Sequence, residues 1–564
     1  MCGLAGIIGE IKNREHLINK MLLKQNHRGP DYKSTWSNSK LCLGHNRLSI
    51  IDLSSKANQP MVSLCGNFVI VFNGEIYNYL ELRKTINDYK FITNSDTEVL
   101  LALYIKFGKE MLSMINGMFS FVIYNKIENK IFGARDRFGV KPLFYSFLKG
   151  TFYFASEIKT LWEAGITKIM NRKVWSNYIC YGTYGMPHET FWDNIHQIKP
   201  GNYFEYKIHY KNFKETKYYD FVKNIKLINY CTDENFEEKY LSLLEESIKL
   251  RFRSDVPVGF SLSGGVDSSI LLAMVNKIMY QKSDTIEAFT FYSNDSRYDE
   301  LIWAEEMTKN TKNYHNKILL KVDEIDTLFK DVSYYQDEPF GGIPVIAYSK
   351  IFKKCKDKGI KVILDGQGMD EAWAGYDYYT NNSDYIIQGT KTNPFKPNVL
   401  IPEFLNYSAK DLYSKPFKDD LLNLQFRDLF YTKIPRALRF NDRISMMHST
   451  ELREPFLDFR LVELAFSQPK EMKIKNGQGK WMLRKIAKSL IGNSVSYAPK
   501  RPLQTPQREW LSAELKEWVE LKLKKFSNFD FIDKKVIYQL WKEYQLEDKS
   551  NSFFLWQWIN MSEL

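Results

Sequence analysis

Short apolar runs broken by turn residues dominate the first two hundred positions. Residues 67–72 (NFVIVF) run into Asn73-Gly74, residues 119–124 (FSFVIY) run into Asn125, and residues 152–155 (FYFA) follow Lys149-Gly150. Runs of this length, bounded by Gly and Asn, predict strands, and the spacing over 78–86 and 96–107 predicts helices. Together they predict a layered α/β domain built on antiparallel sheets over residues 2–208. The stretch 209–235, following Pro200-Gly201, is polar, rich in Tyr, Lys and Asn and weakly periodic, and is expected to be a linker. The pattern then changes. A helix over 236–251 leads to a strand at 257–262 (PVGFSL), a glycine loop, and a helix from Ser268 to about Met279. A strand at 286–291 (IEAFTF), a helix at 299–310 and a strand at 360–364 (IKVIL) follow, and from about 410 the chain is mainly helical. Strands alternating with helices predict a doubly wound parallel sheet for a second α/β domain, residues 236–564.

The length, 564 residues, supports this division, being too great for one ordinary core. Apolar residues at 44% and charged residues at 26% are ordinary for a globular chain. No apolar run approaches the ~20 residues of a membrane span. The opening Met-Cys-Gly-Leu-Ala-Gly has no basic segment ahead of an apolar core, so no signal peptide is read and a cytoplasmic location is expected. Six cysteines, at 2, 42, 65, 180, 231 and 355, form no CxxC pair. Zinc is therefore not expected, and free thiols are. The formal charge of +12 raises nucleic acid as a partner. Lys and Arg are spread along the whole chain among acidic residues, which points instead to a solvated basic surface suited to an anionic substrate such as ATP.

Position 2 holds the first candidate chemistry. Removal of Met1 would leave a thiol and a free α-amine on Cys2. The amine titrates near pH ~7.7–8.0 and the thiol near ~8.5, so base and nucleophile sit on one residue. Such a site needs oxyanion donors, which Asn73 and Gly74 can supply through a side-chain amide and a backbone N–H. Arg47 can fork onto a substrate carboxylate, and Asp96 can hold an ammonium group. Singly, each has a plainer reading: Asn73-Gly74 alone is a hairpin turn.

The second candidate is Ser261-Leu-Ser-Gly-Gly-Val-Asp-Ser-Ser269, between an apolar strand and an apolar helix. Small residues let backbone N–H groups approach phosphate oxygens, and the helix N-terminus adds its dipole. Ser263 and Ser268 can donate hydroxyls, and Asp267 can bind Mg²⁺. The loop is not a Walker A motif, because Gly-Lys-Ser/Thr is missing. A second loop, Asp365-Gly-Gln-Gly-Met-Asp-Glu371, follows the strand at 360–364 and offers Asp370 as a second Mg²⁺ ligand. Both carboxylates would then lie at the C-terminal edge of the parallel sheet, where open α/β sheets bind ligands. In 478–485 (QGKWMLRK), Lys480 and Arg484 stand four apart, which predicts one helical face able to neutralise pyrophosphate.

These segments resemble the glutamine-hydrolysing asparagine synthetase family over nearly the whole chain. The class II glutaminase half is carried by Cys2 to Gly6, His27 to Asp31 (HRGPD), His45 to Asp52 (HNRLSIID), Phe72 to Tyr77 (FNGEIY), Ser95 to Glu98 and Ala134 to Leu143 (ARDRFGVKPL). The SGGxDSS loop and residues 441–458 resemble the ATP-pyrophosphatase half, where 441–458 is read as architectural and as a lining for the acceptor pocket. The resemblance implies an N-terminal Ntn-type domain of four layers, αββα, and a C-terminal ATP-pyrophosphatase domain with added helices. It implies Cys2 as nucleophile and Asn73 and Gly74 as oxyanion hole. Glutamine would be held by Arg47, by the backbone of Leu48, Ser49, Ile50 and Ile51, and by Glu75 and Asp96. ATP would be framed by Leu262, Ser263, Gly264, Gly265, Asp267, Ser268, Phe291, Asp365, Gly366, Lys480 and Arg484, with Mg²⁺ on Asp267 and Asp370. Catalysis at the second site would involve Gln367 and Lys480. The implied partners are glutamine, ATP and a small carboxylate, aspartate first or else another such as a sugar acid, with no nucleic acid or membrane and a homodimer as one expected assembly. One departure stands out: many relatives carry Ser-Gly-Glu-Gly where this chain has Asp365-Gly366-Gln367-Gly368, and Gln367 can neither act as a base nor carry charge.

Overall fold

The computed structural model describes residues 2–228, 236–279, 286–380, 387, 390, 393–497, 505–546 and 551–564. Met1, Cys231 and the end of the expected linker, 229–235, lie outside the described residues. The first domain contains two six-stranded antiparallel sheets. In one, Gly3–Ile8 lies between Thr151–Ala155 and Leu41–Arg47, and in the other Gly117–Asn125 lies between Phe68–Ile76 and Lys130–Arg135. Leu4, Leu43, Val69, Val71, Val122, Phe154 and Phe204 fill the space between the sheets. The helix Arg14–Lys24 covers the outer face of one sheet and Asp96–Phe107 that of the other. The result is the four-layer order, helix, sheet, sheet, helix.

Two expectations need correction here. Asn73-Gly74 does not end its strand: Phe68–Ile76 continues through it, paired with Gly117–Asn125. Asn73 is buried and Gly74 lies against a neighbouring strand, where a Cβ would meet the Met118 carbonyl oxygen at 2.1 Å, so the pair is not a turn. The expected linker 209–235 is also structured over much of its length. Asn212–Lys217 pairs with Asn202–Lys207, and helix Phe221–Leu227 buries Phe221 and Ile225 against Phe426 and Phe466. Two buried apolar anchors in a polar segment were too sparse to show as periodicity.

The second domain holds a five-stranded parallel sheet in the order His315–Leu319, Ala288–Tyr292, Val258–Ser261, Val362–Leu364, Glu451–Arg453. Strand order reverses between Val258–Ser261 and Val362–Leu364, which makes their C-terminal ends the switch point. Helices cover the sheet and continue to the C-terminus. Among the described residues no helix is long and apolar enough to cross a membrane.

Buried ion pairs join the domains. Arg28, fully buried, holds Asp442 through two bonds of 2.9 and 3.1 Å, Glu157 at 3.0 Å and the Cys2 carbonyl at 3.0 Å. Glu157 also accepts from Lys159 at 2.7 Å and lies 3.3 Å from Arg443. Removing one member strands the others without counter-charge in a dry interface. Arg28→Met is expected to cost about 3–5 kcal/mol, read as a lowered urea midpoint.

Candidate functional site

The first pocket forms where the start of strand Gly3–Ile8, the end of Leu41–Arg47 and strand Phe68–Ile76 meet. Cys2 is buried just ahead of strand Gly3–Ile8 and lines the pocket with Arg47, Leu48, Ile50, Ile51, Gly74, Glu75 and Asp96. Its backbone N–H donates to Asn73 Oδ1 at 3.0 Å, and its Sγ lies 3.9 Å from the Leu48 carbonyl oxygen. Asn73 therefore turns Nδ2 the other way, buried and without a hydrogen-bond partner among the described residues. A buried donor left open beside a thiol is what a developing oxyanion requires. Burial pushes the Cys2 thiol above its usual range, so a local base is needed to form the thiolate.

The pocket's far wall is acidic. Asp96 accepts from the Ile76 N–H at 2.9 Å, and burial raises its carboxyl to about 6. Glu75 is pushed well up by burial, with Glu451 and Asp96 adding repulsion, and lies 3.6 Å from Arg453. Arg47 lines the pocket, but not as a free fork. Its Nη1 donates to Ser54 O and Asn58 Oδ1, both at 2.8 Å, and its Nη2 donates to Ile51 O at 3.4 Å and to Asp52 O. The guanidinium thereby shapes the 51–58 loop over the pocket. Ser49 does not line it; its N–H donates to Asp31 at 2.8 Å.

The second pocket opens at the switch point of the parallel sheet. Leu262, Ser263, Gly264, Gly265, Asp267, Ser268, Phe291, Asp365, Gly366, Gln367, Asp370, Lys480 and Arg484 all line it. Gly264 is at φ +81°, and a Cβ there would meet the Glu300 carbonyl oxygen at 2.7 Å. Ser263 and Ser268 hydroxyls face each other at 3.1 Å, and helix Val266–Ile278 begins directly behind them. Anion binding at such a helix start follows from its unpaired N–H groups and dipole.

Lys480 is not on a helix face, as the four-residue spacing suggested. It precedes helix Trp481–Ser496 in a left-handed conformation, φ 57°. That turn aims its ammonium between two carboxylates: Nζ pairs with Asp267 Oδ2 and lies 2.6 Å from Asp370 Oδ1. Burial works against the ammonium, and the two aspartates more than offset it, raising its pKa. Gly375 makes room, since a Cβ there would meet Asp370 Oδ1 at 1.9 Å. Asp267 Oδ1 is buried without a hydrogen-bond partner among the described residues. Two hard carboxylate ligands beside a phosphate-type loop suit Mg²⁺, which takes its remaining ligands from phosphates and water. Tyr298, Trp303, Tyr348 and Asn441 also line this pocket. Of these only Asn441, within 441–458, fell in a segment the sequence singled out. The others come from helices and loops with no local signal.

The two pockets share one interface. Strand Glu451–Arg453 belongs to the second domain's sheet, where the Asp365 N–H donates to the Arg453 carbonyl at 3.0 Å, while the Arg453 side chain reaches Glu75.

Comparison with known proteins agrees with both halves. A glutamine amidotransferase domain model matches residues 1–219 and an asparagine synthase model matches residues 239–564. The chain is 28% identical to asparagine synthetase [glutamine-hydrolyzing] 1 of Bacillus subtilis, over 100% of this chain and 97% of that protein. It is 30% identical to asparagine synthetase [glutamine-hydrolyzing] 2 of the same organism, over 89% of this chain and 71% of that protein. It is 32% identical to a putative asparagine synthetase [glutamine-hydrolyzing] 2 of Methanocaldococcus jannaschii, over 75% of this chain and 82% of that protein. The asparagine synthase model alone covers more than half of the chain, and the chain belongs to the glutamine-hydrolysing asparagine synthetase family of ATP-dependent ligases.

Proposed function

We propose that the chain converts L-aspartate to L-asparagine, with AMP and pyrophosphate as co-products, using Cys2 to release ammonia from glutamine. The observation that carries this reading is the pairing of a thiol pocket with a phosphate-type pocket across one strand, Glu451–Arg453. In the first half-reaction Cys2 Sγ attacks the glutamine amide carbon, and its proton passes to the freed α-amine and on to the leaving ammonia. Asn73 Nδ2 and the Gly74 N–H stabilise the oxyanion, while Glu75 and Asp96 hold the substrate's ammonium end. Water then cleaves the thioester to give glutamate.

In the second pocket an acceptor carboxylate oxygen attacks the α-phosphorus of ATP and pyrophosphate leaves. Ser263, Ser268 and the loop N–H groups hold the phosphates, and Lys480 and Arg484 offset their charge. Asp267 and Asp370 would hold Mg²⁺, which supplies further neutralisation of the pyrophosphate. Ammonia then attacks the acyl carbon and AMP leaves. A free carboxylate would not react with ammonia, which is why adenylation precedes it.

A pyrophosphate-release screen over candidate carboxylates, with glutamine and ATP present, tests the acceptor. L-aspartate is expected to give the fastest release. A sugar acid or other carboxylate outrunning it would overturn the aspartate assignment while keeping the chemistry.

A further inference from the structure

Amide formation needs a base, because ammonia loses a proton as it becomes an amide nitrogen. Most carboxylates of the second pocket already hold a partner. Asp267 and Asp370 flank Lys480, and Glu371 accepts from the Tyr376 hydroxyl at 2.6 Å. Asp365 Oδ1 accepts from the Gly366 N–H at 2.7 Å, its Oδ2 is buried without a hydrogen-bond partner among the described residues, and position 367 carries a neutral amide.

A further carboxyl group, with no side-chain hydrogen bond at either oxygen among the described residues, stands beside this pocket. Glu454 directly follows strand Glu451–Arg453. The parallel register pairs Leu364 with Arg453, so the next residues, Asp365 and Glu454, stand side by side at the sheet's C-terminal edge. The Glu454 side chain is buried and makes no hydrogen bond among the described residues. It lines a cavity between the domains with Tyr77, Gly117, Met118 and Arg137. Gly117 and Met118 pair with Ile76 and Glu75, on the strand that carries Asn73 and Gly74. Glu454 therefore stands beside Asp365 of the second pocket and lines a cavity whose wall pairs with the strand that carries Asn73 and Gly74.

On the reading that the chain amidates an acyl-adenylate, we propose that Glu454 is the carboxylate that accepts the proton shed by the attacking ammonia. As the N–C bond forms, one N–H proton passes to a Glu454 oxygen. The bond from the acyl carbon to the AMP oxygen breaks, and AMP leaves with that electron pair. The surroundings suit a proton acceptor. Burial first, then Asp365 and Asp136, raise the Glu454 carboxyl against the opposing charges of Lys141 and Arg251, to about 8. An acceptor poised near neutral pH takes and returns protons readily.

Glu454→Gln and the double variant Gln367→Glu/Glu454→Gln test this in the full chain with L-aspartate, ATP, Mg²⁺ and glutamine. In E454Q, amide formation is expected to fall about 100-fold. Glutamate release and ATP–pyrophosphate exchange should stay within about twofold of wild type. The double variant should regain at least about a tenth of the lost rate, because a carboxylate returns to the pocket at position 367. Unchanged amide formation in E454Q overturns the proposal. So does a joint fall of all three activities with no recovery in the double variant, which would mark Glu454 as structural. Wild-type protein that exchanges pyrophosphate with another carboxylate but not with L-aspartate overturns the aspartate reading alone, and the same variants are then compared on that carboxylate. Wild-type protein that exchanges pyrophosphate with no carboxylate defeats both readings.

Discussion

Cys2→Ala is expected to abolish glutamine-dependent synthesis and to leave ammonia-dependent synthesis intact. The thiol is the only group at Cys2 able to form a covalent intermediate, and loss of a nucleophile from an acyl-transfer site costs on the order of 10⁶-fold. The rest of the first pocket would remain. Asn73 would still accept from the backbone N–H of position 2, and Arg28 would still hold the carbonyl there, since both contacts are made by main-chain atoms. The interdomain ion pairs do not involve the sulfur. Glutamate release therefore measures the loss, and AMP formation with added ammonium chloride measures what survives. Loss of both activities would contradict two separable sites. The same logic makes processing decisive: protein that retains Met1 has no free amine on Cys2 and should resemble the alanine variant.

The complementary substitution, Asp267→Asn, is expected to suppress pyrophosphate release by roughly 10²–10³-fold while glutamate release continues. Asn keeps the side chain's size but removes its charge. Lys480 would then lose one of the two carboxylates that offset its burial. Mg²⁺ would lose one of its two proposed protein ligands, and the amide would present a donor where the carboxylate presents only acceptors. Preserved pyrophosphate release would remove Asp267 from the metal assignment.

Much of this arrangement was legible in the chain, for identifiable reasons. Helices Phe236–Arg251 and Asp96–Phe107 match the spacing because each repeats its pattern over several turns. The switch-point pocket was legible because small residues, a charged residue and a strand–helix boundary coincide within a few positions. What was missed depends on approach in space. Asn73-Gly74 looks like a turn by composition, yet its dipeptide lies in mid-strand because Asn73 meets Cys2 and Gly74 meets Met118. Tyr298, Trp303 and Tyr348 reach the pocket from helices and loops whose patterns report only their own burial. The family resemblance puts Lys480 in the pocket, but its left-handed backbone cannot be read from a four-residue spacing. Glu454 follows an arginine and precedes a proline, an unremarkable context, and its position emerges only from the register with Asp365.

Strand Glu451–Arg453 ends the parallel sheet, so among the described residues one side of it has no strand to pair with. Such margins recruit foreign chains unless they are covered. Here the cover comes from the other domain: Lys141 Nζ donates to the Leu452 carbonyl at 3.3 Å, and Glu75 lies against Arg453. The glutaminase half thus shields a surface prone to self-association, a duty separate from any chemistry. That dependence restrains modular exchange in such a chain: a replacement nitrogen-supplying domain must bring a cationic side chain to the same carbonyl, or leave the ligase half with an open seam.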